Sequence, residues 1–239
     1  TGTYTTGTNK GEPRFTIQKE LTHLGYFSLT LGADGSFVSS VDGELDMGLH
    51  RLNSDAFATI SNDLDDENKK LELVVSQFNH GDISYFLNSE NAQDNFIQSL
   101  DNVFLAYPFS GINIDIETSG ETDEQMRQNL TNFIIKLRKH LDEKYGHVQL
   151  SIDMYAGAAA NQQIWNIKDL APHVDYIVVM AYDFHRSSSS VAGPVAPLFG
   201  GKELWDGDIN YYLQEFLKIV PSEKILLGIP FYGYEWQTT

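Results

Sequence analysis

Residues 110–117 show the clearest alternation of polar and hydrophobic positions in the chain, Ser-Gly-Ile-Asn-Ile-Asp-Ile-Glu. Isoleucines alternate with Asn113, Asp115 and Glu117, a pattern typical of a β-strand whose successive side chains point to opposite faces. Asp115 and Glu117 are two positions apart, which separates their backbones by roughly 6.6 Å. Two carboxyl groups this close and partly shielded from water do not both ionise freely. We therefore expect one of them to carry a proton near neutral pH, as an acid catalyst must.

The rest of the chain alternates between strand and helix patterns. Strands are predicted at residues 23–31, 71–78, 111–117, 148–155, 174–183 and 225–232, and helices at 54–68, 91–103, 122–145, 162–170 and 209–219. The long helix at 122–145 has one apolar face, made of Leu130, Phe133, Ile134, Leu137 and Leu141. Alternation of this kind predicts an α/β fold with a parallel sheet, as either a (β/α)8 barrel or an open doubly wound sheet.

Two features favour the barrel. An open sheet would carry a glycine-rich phosphate turn after an early strand, whereas the second predicted strand here is followed by Asn-His-Gly-Asp. Polar residues instead gather at the carboxyl ends of several predicted strands, which is where a barrel keeps its active site. They are Glu117, Tyr155, Tyr182, Asp183 and Tyr232.

Composition limits the chemistry and the partners. The 239 residues suit one α/β domain, and we predict a linker or loop at 1–19 and the barrel at 20–239. Thirty-three acidic against 16 basic residues give a net charge of −17, which disfavours nucleic acid and anionic membranes as partners. The absence of cysteine excludes thiolate catalysis, thiolate metal sites and disulfides, and the seven histidines follow no metal-binding spacing. We expect no cofactor, no metal and a monomer.

Three motifs, in order, resemble glycoside hydrolase family 18, the chitinase-like barrels. The family pattern Asp-Gly-x-Asp-x-Asp-x-Glu is matched by residues 110–117, Met-x-Tyr-Asp by 180–183, and Gly-x-Pro-x-Tyr-Gly by 228–233. The resemblance covers roughly residues 20–236. Within the family, residues 193–197 and 233–236 are most similar to the bacterial branch that acts on peptidoglycan or spore cortex, with chitin-cleaving enzymes a close second.

The chain departs from the family pattern in three respects. Ser110 and Asn113 replace two of the motif's three aspartates, so Asp115 loses a carboxylate with which it could share a proton and should ionise more easily. Ser110 lacks the carboxylate that the first aspartate of the motif would supply. The strands that would be first and eighth in the family barrel have no recognisable counterpart, so we expect an incomplete barrel.

The resemblance implies a retaining, substrate-assisted mechanism, in which the sugar's own acetamido group is the nucleophile. It assigns Glu117 as general acid and then base, Asp115 as the acceptor of the acetamido N–H, and Tyr182 as a donor to the acetamido oxygen. It also implies that Asn113, Met180, Asp183 and Tyr232 contact the substrate. The implied partner is a polysaccharide containing N-acetylglucosamine, which places the protein outside the cell or in the cell wall.

Two function classes are open at this point. One is an active hydrolase of β-1,4 bonds next to N-acetylglucosamine, in chitin or in peptidoglycan, with endo or exo action. The other is a carbohydrate-binding barrel that has lost catalysis. Family members that became lectins commonly lose the acid at the position of Glu117, which is present here and favours the enzyme.

Overall fold

The computed structural model describes residues 20–41, 43–66, 68–161, 163–201 and 203–237. The predicted linker at 1–19 lies outside these ranges. The chain divides into two compact units. The first unit comprises the described residues up to Thr118 together with Leu141–Gln149, and the second comprises Ser119–His140 and the described residues from Leu150 onward.

The elements before residue 120 are strands with helices between them. The strands are β1 (His23–Thr30), β2 (Ser40–Val41), β3 (Glu44–Leu45), β4 (Lys70–Gln77) and β5 (Gly111–Ile116). The helices are α1 (Met47–Arg51), α2 (Asp55–Asp66), α3 (His80–Asn88) and α4 (Glu90–Ala106). β1, β4 and β5 form a parallel sheet in that order, while β2 and β3 pair antiparallel as a short hairpin.

The remaining elements continue the alternation. They are α5 (Glu124–Tyr145), β6 (Gln149–Tyr155), α6 (Ile167–Leu170), β7 (Tyr176–Met180), α7 (Ile209–Leu217) and β8 (Ile225–Gly228), with short 3₁₀ turns at Ala156–Ala159, Ala171–His173 and Ser222–Lys224. Strands β6, β7 and β8 pair in parallel in that order.

The central strands of the first unit form its core because their side chains are buried on both faces. On one face Leu73 and Val75 of β4 lie beside Ile112 and Ile114 of β5 in the strand register, and none of the four is more than 1% exposed. The alternate positions of both strands are buried as well, apart from Lys70 at the start of β4. Burying one such side chain contributes about 2 kcal/mol. This is the burial expected of a parallel sheet covered by helices.

Several predicted elements are confirmed and others are wrong at their ends. The predicted apolar face of α5 is fully buried. Of the helix predicted at 162–170, the described residues from 163 onward are α-helical at Ile167–Leu170, and Asn166 before them has a non-helical backbone conformation. The strand predicted at 225–232 ends at Gly228, two residues before Pro230, which has no N–H to donate to a ladder. The strand predicted at 174–183 ends at Met180, and Asp183 beyond it has a positive φ of 59°.

Helix α3 was not predicted from the sequence. Its first turn, which contains His80, Gly81 and Asp82, has no apolar residue, and only Ile83, Phe86 and Leu87 are buried. The side chain of Asn79 accepts a hydrogen bond from the backbone N–H of Asp82 at 3.1 Å and caps the helix.

Gly35 allows the turn after β1 to approach α4. Its φ is +85°, and a Cβ at this position would lie 1.8 Å from the carbonyl oxygen of Ala92. We expect Gly35→Ala to lower the free energy of unfolding by about 3 kcal/mol, because the left-handed φ costs an alanine about 1 kcal/mol and the rest comes from displacing the α4 backbone. Chemical denaturation measures this change.

Gly146→Ala is the matched control. Gly146 also has a positive φ, of +73°, but no described atom lies within 4 Å of a Cβ built there. It should therefore lose only the conformational part, about 1 kcal/mol. Equal losses in the two variants would show that the contact with α4 contributes nothing.

Candidate active site

The acidic motif of the first unit lies at the carboxyl end of β5. Asn113 and Asp115 are only 6% and 2% exposed, while Glu117, one residue beyond the strand, is half-buried. The backbone N–H of Glu117 donates to the carbonyl of Gln77 at 3.1 Å, so the pairing of β4 and β5 continues one residue past the strand end. Since side chains alternate along a strand, Asp115 and Glu117 occupy the same face.

Two hydroxyl groups meet on β4 and β1, the strands on one side of β5. Ser76 of β4 lies opposite Asp115 in the register, and its hydroxyl shares a 2.7 Å hydrogen bond with the hydroxyl of Ser28 in β1. The polar face of β5 therefore continues across β4 to β1. Nothing in the local sequence around Ser28 or Ser76 indicates that the two hydroxyls meet.

The turn after β4 is fixed by the side chain of Gln77. Its amide donates to the carbonyl of Leu31, and its Oε1 accepts from the backbone N–H of Asn79 at 2.7 Å. Beyond the turn, Nδ1 of His80 and the hydroxyl of Thr118 share a hydrogen bond of 2.9 Å. This contact ties the residue after Glu117 to the start of α3.

Ser110, the first departure from the family pattern, lies at the opposite end of β5 from Glu117. Its backbone N–H donates to the carbonyl of Leu71 at 2.8 Å, and its hydroxyl lies 3.3 Å from the same oxygen. In this chain the position joins the start of β5 to β4.

The second unit holds the other predicted site residues at the end of β7. Met180 is the last residue of the strand and is buried, and the backbone N–H of Ala181 donates to the carbonyl of Gly228 at 3.2 Å. Tyr182 and Asp183 follow, and both are half-buried. The rings of Tyr182 and Tyr232 meet edge to face with their centroids 6.4 Å apart.

The carboxylate of Asp183 collects three donors. The hydroxyls of Tyr232 and Tyr234 donate to Oδ1 at 2.6 and 3.0 Å, and Nε of Arg186 lies 3.5 Å from Oδ2. Burial, followed by the hydrogen bond to Asp183, raises the pKa of Tyr232 above its usual range. The hydrogen bond to Asp183 is also the main cause that raises the pKa of Tyr234. Both phenols therefore stay protonated donors at neutral pH.

Two members of this group, Tyr234 and Arg186, were missed by sequence reasoning. Tyr234 falls in the segment 233–236, which resembles the bacterial branch, but the resemblance assigns it no role. Arg186 lies outside the motif positions, and nothing local to it indicates that it pairs with Asp183. The sequence offered one signal, the tyrosines at 232 and 234, whose hydroxyls could donate to a carboxylate elsewhere in the chain.

The arrangement in the first unit can support acid–base chemistry. It combines a half-exposed carboxyl group, Glu117, with a buried one, Asp115, on the same face of one strand. Within the ranges that the structure describes, no three His, Asp or Glu side chains come together as metal ligands would. No helix in the described part of the chain is long and apolar enough to cross a membrane.

Comparison with known proteins gives a consistent set of relatives. YdhD of Bacillus subtilis (strain 168), whose name describes a sporulation-specific glycosylase, is 29% identical over 167 residues, which are 69% of this chain and 36% of that protein. The crystal structure of the Group IV chitinase of Ostrinia furnacalis in complex with allosamidin matches 88% of this chain and 58% of its own, with a TM-score of 0.72 and 29% identity. The chain therefore spans about a third to about three fifths of the length of these two relatives.

A bacterial structure shares the same fold. The spore cortex-lytic enzyme SleL of Bacillus cereus matches 88% of this chain and 44% of its own, with a TM-score of 0.67 and 20% identity. Likeness at this identity concerns the fold alone. Together with the alternating parallel strands and helices, these structures confirm the predicted α/β class and barrel type.

The family assignment rests on the whole chain and not on the three motifs alone. The model of the glycosyl hydrolases family 18 matches residues 1–239. This chain therefore belongs to the glycosyl hydrolases of family 18.

Proposed function

We propose that this protein is a retaining glycoside hydrolase that cleaves β-1,4 bonds next to N-acetylglucosamine by substrate-assisted catalysis. The observation that carries the proposal is the placement of Glu117. It follows directly after a buried strand, remains half-exposed, and lies on the same strand face as the buried Asp115. A proton donor that reaches substrate beside a shielded carboxylate is what this reaction requires.

The first step breaks the glycosidic bond without a protein nucleophile. Glu117 protonates the leaving glycosidic oxygen, while the carbonyl oxygen of the substrate's acetamido group forms a bond to the anomeric carbon. The product of this step is a cyclic oxazolinium ion. In the second step Glu117 removes a proton from water, which opens the ring at the anomeric carbon. Two inversions give net retention, and the proton returns to Glu117.

The other residues stabilise this intermediate or hold the sugar. Asp115 accepts the acetamido N–H and offsets the positive charge that develops on the ring. The family pattern assigns Tyr182 as a donor to the acetamido oxygen. It assigns substrate contacts to Asn113, Met180, Asp183 and Tyr232. Because the nucleophile belongs to the substrate, the reaction gains from enforced proximity and requires an N-acetyl group at C2.

The substrate is chitin or the glycan of peptidoglycan, since both present the same unit. Both polymers lie outside cells or in cell walls, so we propose that the protein acts there. Net charge offers a means to separate the two substrates. The chain carries −17, and the carboxylates of peptidoglycan stem peptides would repel it, whereas N-acetylated chitin is uncharged.

Reducing-end release by the full-length protein tests the proposal. We expect cleavage of N-acetylated chito-oligomers or of purified peptidoglycan, with retention seen by NMR of the new anomeric centre. A thiazoline analogue of N-acetylglucosamine should inhibit, because it mimics the cyclic intermediate. Cleavage of peptidoglycan should accelerate with added salt, which screens the repulsion, while cleavage of chito-oligomers should change little.

The outcomes separate the two function classes. Binding of both polymers with no cleavage of either would support the carbohydrate-binding alternative over the enzyme. Cleavage that the thiazoline does not inhibit, or that inverts the anomeric centre, would contradict substrate assistance. The assignment as a hydrolase would still hold.

A further inference from the structure

The segment after β8 is attached to the end of β7 through one carboxylate. Asp183 receives the hydroxyls of Tyr232 and Tyr234 on a single oxygen, at 2.6 and 3.0 Å. Its other oxygen faces Nε of Arg186 at 3.5 Å. One carboxylate therefore joins the segment after β8 to the turn that follows β7.

A second set of contacts holds the same segment. The indole N–H of Trp236 donates to the carbonyl of Arg186 at 3.1 Å. The turn that contains Arg186 is closed by Ser189, whose N–H donates to the Arg186 carbonyl and whose hydroxyl accepts from the Arg186 N–H, both at 2.9 Å. Arg186 is thus linked to the segment in two ways. Its guanidinium pairs with Asp183, which binds the two tyrosines, and its carbonyl accepts from Trp236 directly.

Tyr182 contacts the segment after β8 through its ring. The Tyr182 ring lies edge to face against Tyr232, whose hydroxyl is held by Asp183. On the β8 side, Gly228 provides space, because a Cβ there would lie 3.1 Å from Cε1 of Tyr182. A shift of the Tyr232 ring would therefore move a packing neighbour of Tyr182.

We propose that Tyr234 and Arg186 are positioning residues: they hold the Asp183 carboxylate, which fixes Tyr232 and, through its ring, Tyr182. The proposal rests on the proposed function, because it assumes that Tyr182 acts on the acetamido group. The two residues should not contribute equally. Arg186 is 60% exposed and its contact with Asp183 is long, so this ion pair is weak. The direct hydroxyl bond of Tyr234 is the stronger of the two.

The test is a double-mutant cycle on the full-length protein. Tyr234→Phe removes one hydroxyl and keeps the ring, and we expect kcat to fall about fivefold with KM within about twofold, because a misplaced Tyr182 affects the reacting geometry more than binding. In a Tyr182→Phe background the same change should have no further effect, since Tyr234 acts through Tyr182. Additive losses would overturn the proposal.

A matched control and a second readout complete the design. Tyr107→Phe removes a hydroxyl that donates to Asn53 Oδ1 at 3.0 Å in the first unit, and it should leave kcat unchanged. Titration of the tyrosines by NMR measures the contact between Asp183 and Tyr232 independently of enzymatic activity. Asp183→Asn should lower the pKa of Tyr232 towards its usual value, because the negative acceptor is lost.

The two readouts distinguish failure of the inference from failure of the function. An unchanged Tyr232 titration in Asp183→Asn would overturn the inference whether or not the protein is an enzyme. A protein without hydrolytic activity whose Tyr232 titration does move would retain the link to Asp183, and only its catalytic meaning would be overturned with the proposed function.

Discussion

Glu117→Gln should reduce kcat at least about 1000-fold, which corresponds to roughly 4 kcal/mol of transition-state stabilisation. The amide keeps the size of the side chain but cannot donate a proton to the leaving oxygen or accept one from water. The loss affects both steps, because the same carboxyl group acts as acid and then as base. Initial rates on an N-acetylated chito-oligomer measure it.

The fold should not be affected by this change. Glu117 is half-buried, and the contact that it makes with β4 uses its backbone N–H rather than its side chain. We therefore expect the midpoint of thermal unfolding to stay within about 2 °C, and oligomer affinity to stay within about threefold of the unchanged protein.

Glu121→Gln is the matched control for charge. Glu121 is exposed and lies four residues further along the chain, so the variant removes the same charge from a nearby position in the sequence. It should retain full activity. Turnover by Glu117→Gln above about one tenth of the original rate, or an equal loss in Glu121→Gln, would remove Glu117 from the acid role.

Asp115→Asn should reduce kcat about 100-fold, equivalent to about 2.7 kcal/mol. Asp115 is 2% exposed, so its charge acts in a medium that screens poorly. The asparagine has nearly the same shape but offers no negative charge to the oxazolinium ion. The expected signature is therefore a loss in kcat larger than any change in KM, measured by steady-state kinetics.

Asn113→Asp is the companion variant, since it restores the family's carboxylate one step along the same face. We expect it to remain active. A second carboxylate disfavours ionisation of its neighbour, so the pKa of Asp115 should rise and the acid limb of the kcat profile should move to higher pH. An acid limb that moves to lower pH, or an Asp115→Asn variant with unchanged kcat, would contradict the role given to Asp115.

The alternating pattern predicted the strand β5 correctly because its information is local. Isoleucines at every second position allowed one strand register only, and all three, Ile112, Ile114 and Ile116, are buried as expected. The position of Glu117 just past the strand followed from counting. The depth at which Asn113 and Asp115 are buried did not follow, because it depends on what covers the polar face.

Errors in the helices have a similar origin. The apolar residues of α3 are few and follow a polar first turn, so the helix depends on the Asn79 cap and on burial of Phe86 against its surroundings. The predicted helix at 162–170 counted Ile164 and Trp165 as helical, whereas the structure buries both before α6 begins. Packing decided each case against local propensity.

The sequence by itself determined the alternation of strands and helices, the register of β5 and the placement of Asp115 and Glu117 at its carboxyl end, because side-chain periodicity is a property of the local backbone. Only the tertiary structure decided which groups surround Asp183. Its partners Tyr232 and Tyr234 lie 49 and 51 residues away along the chain. They reach it because β8 pairs with β7, and such a contact depends on strand pairing that no local pattern specifies.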